Sequence, residues 1–342
     1  MPVYACVILG TNLLCAEGMR RNEVNMKKKI FVDGLSGTTG LKIHERLNLY
    51  SELEMITIDY EKRRDQGERA RCLNEADIVF LCLPDDAARE AVSLVNNLST
   101  RIIDASTAHR TATDWTYGLP ELSKAHRDAI KTSKRVSNPG CHATAFALSI
   151  YPLIYHKVMQ TDYPVTCQSL TGYSGGGKGL IEKYEQNDGI NEYTKAPRPY
   201  SLSLNHKHLS EMTIRSGLAQ SPIFVPILGN VYQGLAAMVP IHTKLLQKPM
   251  SAKEVHELLS EHYRNEAFVK VMPYEDDTLL FDGGFDITVC NNTNDAEIFV
   301  FGNDSKGSAL IMTRLDNLGK GASGAAIQNM NIMLGFEEGL YL

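Results

Sequence analysis

Short apolar runs alternate with amphipathic stretches through the first part of the chain. KIFVDG (residues 29–34) reads as a strand, and LKIHERL (41–47), just past a group of glycines, has the spacing of a helix with one apolar face. MITIDY (55–60) reads as a second strand ending at Asp59, with a polar helix expected over Glu61–Asn74. ADIVFLCLP (76–84) is almost continuously apolar, which suits a parallel strand covered on both faces. A helix over Asp85–Asn96 follows, with Asp85 as its expected N-cap, and RIIDAS (101–106) gives another short strand. This alternation predicts an α/β unit on a parallel sheet.

After Cys141 the texture changes. A long helix is expected over His142–Lys157, then strands richer in polar and aromatic residues: PVTCQSLTGYSG, IFVPILG and YQGLAAMVPIHT. Ser251 and Glu254 have the spacing of a capping box opening a helix to about Arg264. ITVC, AEIFVFG and ALIMTRLD read as strands, and LGKGASGAAIQNMNIMLGF as a glycine turn and a final helix. The expected fold class is α/β: a Rossmann-like dinucleotide-binding domain plus an α+β domain with a mostly antiparallel sheet.

With 342 residues, 43% hydrophobic and 22% charged, the chain has the composition of a globular protein with room for two domains. Its net charge of −5 argues against a surface that coats nucleic acid, and no apolar run approaches a membrane span. The mildly apolar Val3–Leu14 is followed rather than preceded by basic residues, the reverse of a secretory leader. Residues 1–25 are therefore expected to be an appendage, or the product of a start assigned too far upstream, with a weak targeting segment as the alternative. Seven cysteines (6, 15, 72, 82, 141, 167 and 290) form no CxxC pair. That pattern suits a reducing compartment, so a cytoplasmic location is expected.

Candidate chemistry lies in the loops. Gly34, Gly37 and Gly40 follow the first strand directly and precede a helix, so Gly34, Ser36, Gly37, Thr38, Thr39 and Gly40 are expected to cradle a dinucleotide pyrophosphate. Asp59 fits a ribose-hydroxyl reader, which would favour NAD; Lys62, Arg63 and Arg64 fit a 2′-phosphate, which would favour NADP. Ser137-Asn138-Pro139-Gly140 is a turn that places Cys141 at a helix start, where peptide dipoles favour a thiolate. A depressed thiol pKa is expected there; a cysteine that merely packs is the alternative. Acid/base candidates are His206 and His208, in NHKHLSE, a spacing that a metal site would also satisfy. The loop Tyr173–Lys178 can cradle a phosphate or be a hairpin tip, and Arg110 lies just past the carboxyl end of a strand, where ligands meet such sheets.

Taken together, Lys29–Gly40, the NPGC turn, SLTGYSGGGK, NHKHLSEM and LDNLGKGASGAAIQNM resemble the N-acetyl-γ-glutamyl-phosphate reductase family in its shorter, second form, over about Met26 to Leu334. The resemblance implies NADPH-dependent reduction of an acyl phosphate to a semialdehyde in arginine biosynthesis, with a fold and chemistry similar to aspartate-semialdehyde dehydrogenase and glyceraldehyde-3-phosphate dehydrogenase. It makes Cys141 the nucleophile and His206 the preferred acid/base. Arg110, Asn138, Ser174, Gly175, Lys178 and His208 become substrate contacts. Asn317 joins Arg63 and Arg64 on the NADP side, and no metal is implied. The implied division is an extension (1–25), an NADP-binding domain (26–140), a catalytic and oligomerisation domain (141–316), and a segment returning to the first domain (317–342). A homo-oligomer, dimer or tetramer, is expected, with no nucleic-acid or membrane partner. This sequence departs from the family at His142, where Phe or Tyr is usual, and at Ser149, where another small residue is usual. An aspartate-type acyl-phosphate reductase and a non-enzymatic nucleotide sensor are the rival readings.

Overall fold

In the computed structural model the described residues are 27–35, 37–186 and 191–342. The expectation for residues 1–25 and the assignment of Ser36 lie outside them.

The first domain contains β1 (Lys28–Asp33), α1 (Thr38–Leu47), β2 (Leu53–Ile56), α2 (Gln66–Glu75), β3 (Ile78–Leu81), α3 (Asp85–Ser93), β4 (Arg101–Asp104), β5 (Thr116–Tyr117), α4 (Lys124–Thr132) and β6 (Arg135–Ser137). Its sheet runs β2-β1-β3-β4-β6-β5, and every pairing is parallel. All four residues of β3 are buried, as its unbroken apolar run requires. Alternate strand residues feed two cores. Phe31, Val79, Leu81 and Ile102 pack with Leu73 of α2 and Ala88 of α3, while Ile30, Val32, Ile78, Phe80 and Ile103 pack with Ile43 of α1. Chain order reverses around β1, which pairs with β2 on one side and β3 on the other; ligands of open α/β sheets bind at such a switch.

The second domain opens with α5 (Cys141–Tyr155), followed by β7 (Thr166–Thr171), α6 (Lys178–Glu185), β8 (Arg198–Pro199), α7 (Leu209–Ser216), β9 (Ile223–Leu228), β10 (Leu235–His242), α8 (Ala252–Tyr263), β11 (Val269–Val271), β12 (Ala296–Asn303) and β13 (Ser308–Leu315). Its sheet runs β11-β12-β13-β10-β7-β9-β8. Pairing is antiparallel except between β11 and β12 and between β7 and β9, so the sheet is mixed but mostly antiparallel. Helix α5 is apolar on almost every side because it lies inside the largest core, with α8 beside it and Leu235, Ala237, Val239, Ile298 and Ile311 of the sheet against it.

A π-helical turn, Gly319–Ser323, then leads into α9 (Gly324–Leu334). Ile327, Met330 and Met333 of α9 complete the first domain's core on the α1 face. The turn is fixed by a fully buried ion pair, Lys320 Nζ to Glu121 Oε1 at 2.5 Å, with Gln328 Oε1 2.6 Å from the same ammonium. Among the described residues no helix is long and apolar enough to cross a membrane.

Three local expectations are corrected. The helix expected over Glu61–Asn74 is a 3₁₀ turn at Tyr60–Lys62 followed by α2, because Asp59 accepts from the Glu61 amide and Asp65 caps α2 through the Glu68 amide. Asp85 is the first residue of α3, after Pro84, and its carboxylate instead holds the Thr107 amide and hydroxyl. ITVC forms turns, since Asp286 captures the amide and hydroxyl of Thr288 and competes with any ladder. Ser251 and Glu254 do form the reciprocal cap of α8.

Candidate active site

Cys141 is the first residue of α5, and Gly140 its N-cap. The backbone around the thiol is crowded. A Cβ on Gly140 would meet the ring of His208 at 2.6 Å, and one on Gly321 would meet Cβ of Cys141 at the same distance. Glycine is needed at both positions for the turn and the π-helix to approach so closely. Glu211 of α7 locks the turn from behind: Oε1 accepts from the Gly140 amide and the Tyr117 hydroxyl, both at 2.8 Å, and Oε2 accepts from Arg110 Nη1 at 3.0 Å. Arg110 also donates to the carbonyls of Asn138 and Ala105, so three of its five N–H donors are engaged and two remain.

Burial is the dominant influence on the Cys141 thiol and raises its pKa; the His142 amide, Arg110 and Lys207 offset this only in part. The expected depression is therefore corrected: removal from water outweighs the helix-terminal amides. Burial acts in the opposite sense on the imidazoles. His206 falls to about 4 and His208 well below its ordinary value, so both are neutral bases at physiological pH. Nδ1 of His206 accepts from the His208 amide at 3.1 Å, which leaves the proton on Nε2. Nδ1 of His208 is buried without a hydrogen-bond partner among the described residues. The rings of the two histidines lie 4.8 Å apart.

A cavity of about 490 Å³ joins these groups to the glycine loop. It brings together Gly37, Thr38, Thr39, Gly40, Arg110, Asn138, Cys141, Ser174, Gly175, His206, His208 and Asn317. Gly34 stands behind the loop with φ of 99°, where a Cβ would collide with the Cys82 carbonyl. The free amides of α1 and the Cβ-free approach fit a pyrophosphate. Asn317 is fixed by Ser174 Oγ (3.0 Å) and the Gly234 amide (2.8 Å).

Other sequence candidates are placed differently. Lys178 starts α6, is exposed, and faces Glu182 instead of the cavity. The Arg63 guanidinium lies 3.5 Å over the Tyr60 ring, and Arg64 is exposed; neither lines the cavity. Asn138 uses its side chain to hold Ala322 O and Asn329, so an oxyanion contact is better supplied by the amides at the start of α5. Glu211 and Tyr200 were missed as site residues. The HxHxxE spacing contained a signal for Glu211, but its carboxylate turns to Arg110 and Tyr117 instead of joining the histidines.

Two family models match the chain: the semialdehyde dehydrogenase NAD binding domain over residues 36–132, and the semialdehyde dehydrogenase dimerisation domain over 141–317. Over 320 residues the chain is 48% identical to N-acetyl-gamma-glutamyl-phosphate reductase 2 of Nostoc sp., covering 92% of this chain and 99% of that one. It belongs to the N-acetyl-gamma-glutamyl-phosphate reductase family, within the semialdehyde dehydrogenases. The reductase of Chelativorans sp. is 43% identical over 311 residues, covering 90% of this chain and 99% of its own. Solved structures share the fold of this reductase-family chain at low identity. Aspartate semialdehyde dehydrogenase from Francisella tularensis superposes with a TM-score of 0.67 at 14% identity, covering 90% of this chain and 100% of that one. Aspartate semialdehyde dehydrogenase II from Vibrio cholerae gives 0.66 at 13%, covering 90% and 98%.

Proposed function

We propose that Cys141 is the nucleophile of an NADPH-dependent reductase that converts N-acetyl-L-glutamyl 5-phosphate to N-acetyl-L-glutamate 5-semialdehyde and phosphate, in arginine biosynthesis. The observation that carries this is the single cavity holding a helix-start thiol, two neutral histidines and the glycine cradle. His206 takes the thiol proton at Nδ1, once that nitrogen is released by the His208 amide, and Sγ attacks the acyl carbon. The C–O bond to phosphate breaks and a thioester remains on Cys141. Bound in the cradle, NADPH supplies the hydride that this thioester needs. Collapse of the tetrahedral species releases aldehyde and thiolate, and His206 returns the proton. The amides at the start of α5 face the oxyanion. The Ser174–Gly177 loop, His208 and the two remaining Arg110 donors hold the substrate's anionic groups. Positioning is the main contribution of the protein.

On this reading residues 26–140 bind NADP, 141–316 carry the chemistry and the oligomer contact, and 317–342 return to the first domain. The dimerisation-domain match makes the chain a homo-oligomer. A dimer formed through the outer sheet face, where Ile223, Val225, Ile227, Met238 and Leu310 are not fully covered, is the finer proposal; two such dimers would make the tetramer. The five cysteines among the described residues are free, in keeping with the cytoplasm.

The test is mass spectrometry of enzyme quenched with the acyl phosphate in the absence of NADPH. A Cys141 adduct that disappears on adding NADPH is expected. An adduct elsewhere, or faster turnover of an aspartyl phosphate, would overturn the reading.

A further inference from the structure

Three side chains outside the nucleophile and the histidine pair form a chain that ends in the cavity. Ser169, in β7, is fully buried, and its Oγ lies 2.8 Å from Nδ1 of His142. Nε2 of His142 lies 3.2 Å from the Tyr200 hydroxyl, and Tyr200 lines the cavity with Cys141. The tyrosine is held in place: its amide donates to the Pro226 carbonyl at 3.0 Å, and its ring meets that of His206 edge-on at 5.7 Å.

Proton counting gives the chain a direction. A buried hydroxyl that donates to nothing forfeits a hydrogen bond. Among the described residues the only partner of Ser169 Oγ is His142 Nδ1, so the serine donates to it. A neutral imidazole accepting at Nδ1 carries its proton on Nε2 and donates to the Tyr200 oxygen. Burial keeps His142 neutral by lowering it to about 3, and burial, with Cys141 nearby, raises the Tyr200 phenol so that it stays protonated. Tyr200 therefore receives one hydrogen bond and has no protein acceptor for its own O–H among the described residues.

We infer that Tyr200 contacts the substrate, donating its O–H to an oxygen of the acyl-phosphate group beside Cys141, and that Ser169 and His142 are positioning residues that fix this direction. The inference rests on Cys141 being the nucleophile.

A double-mutant cycle tests it. Tyr200→Phe lowers kcat/KM about tenfold, the loss of one hydrogen bond to the substrate, with NADPH binding unchanged. Ser169→Ala lowers kcat/KM on its own, since either tautomer is then open to His142 and the tyrosine can turn its proton to Nε2. In the Tyr200→Phe background Ser169→Ala has no further effect beyond about twofold, because the two residues act in one chain. Multiplying losses, or an unchanged kcat/KM in Tyr200→Phe, would overturn the inference. Where Tyr200→Phe does not fold, Ser169→Ala alone decides, and an unchanged kcat/KM there overturns it. The quenched acyl-phosphate adduct is measured on the unmodified enzyme in parallel. An adduct on Cys141 keeps the nucleophile whichever way the cycle falls, while its absence removes the nucleophile itself.

Discussion

Gly321 lies so close to Cys141 that a methyl group on the glycine would sit 2.6 Å from the cysteine's Cβ. Gly321→Ala must therefore displace either the π-helical turn or the start of α5. Overpacking of this kind costs about 1–3 kcal/mol. Thermal unfolding should show that loss, and kcat should fall by a larger factor than stability alone explains, because the displaced residue is the proposed nucleophile. A variant with unchanged kcat would mean that the turn moves freely away from the thiol.

The free enzyme should hold Cys141 as a thiol. Burial raises its pKa, so the thiolate fraction, and with it the rate of iodoacetamide labelling, should still be rising with pH above the ordinary range of a cysteine. Cys82 and Cys290 are pushed up to about 12 by burial, so Cys141 should label ahead of both. Mass-resolved labelling rates between neutral and alkaline pH check this. A rate that levels off below neutrality would show a thiolate already formed in the resting enzyme.

Cofactor preference should reside in the basic run after β2. Neutralising Lys62, Arg63 and Arg64 should raise KM for NADPH and leave NADH turnover nearly unchanged, since each charge-assisted contact to a 2′-phosphate contributes about 1.5–3 kcal/mol. Steady-state kinetics with both cofactors give the answer. Equal use of the two by the unmodified protein would return the role to Asp59.

The buried pair Lys320–Glu121 should be costly to break and cheap to replace. Lys320→Met alone leaves a carboxylate buried without its partner and should destabilise by about 3–5 kcal/mol, whereas adding Glu121→Leu should recover much of the loss. Burial pushes the Glu121 carboxyl up, but Lys320 and Gln328 overcome this and hold it below the ordinary range. The stabilisation is thus present above the ordinary carboxylate pKa and is lost as pH falls through the lower, folded value. Acid unfolding of wild type and double variant, compared below about pH 4, reads this directly.

Much of this arrangement was legible because it is local. The apolar run of β3, the Asn-Pro-Gly turn before Cys141 and the Ser251–Glu254 cap each specify their structure within a few residues. The pairs that hold the site together were not legible. Arg110 meets Glu211 across 101 residues and Lys320 meets Glu121 across 199, and nothing in the periodicity of either segment names its partner. Tyr200 has no neighbouring motif at all; only the pairing of β8 on β9 carries it to the cavity. The helix-start position of Cys141 was read correctly, but its electrostatic consequence was reversed by desolvation, which depends on packing from distant segments such as the π-helical turn at Gly321.

Helix α9 fills one face of the first sheet with residues that come after the whole second domain in the chain. A nascent chain ending before it would present Ile30, Ile43, Phe80 and Ile103 to solvent, and the partners of Gly321 and Lys320 would stand ready but unfilled. The nucleotide-binding half therefore cannot finish folding as it leaves the ribosome. Its completion waits for α9, and the candidate site is assembled in the same closing step as the fold.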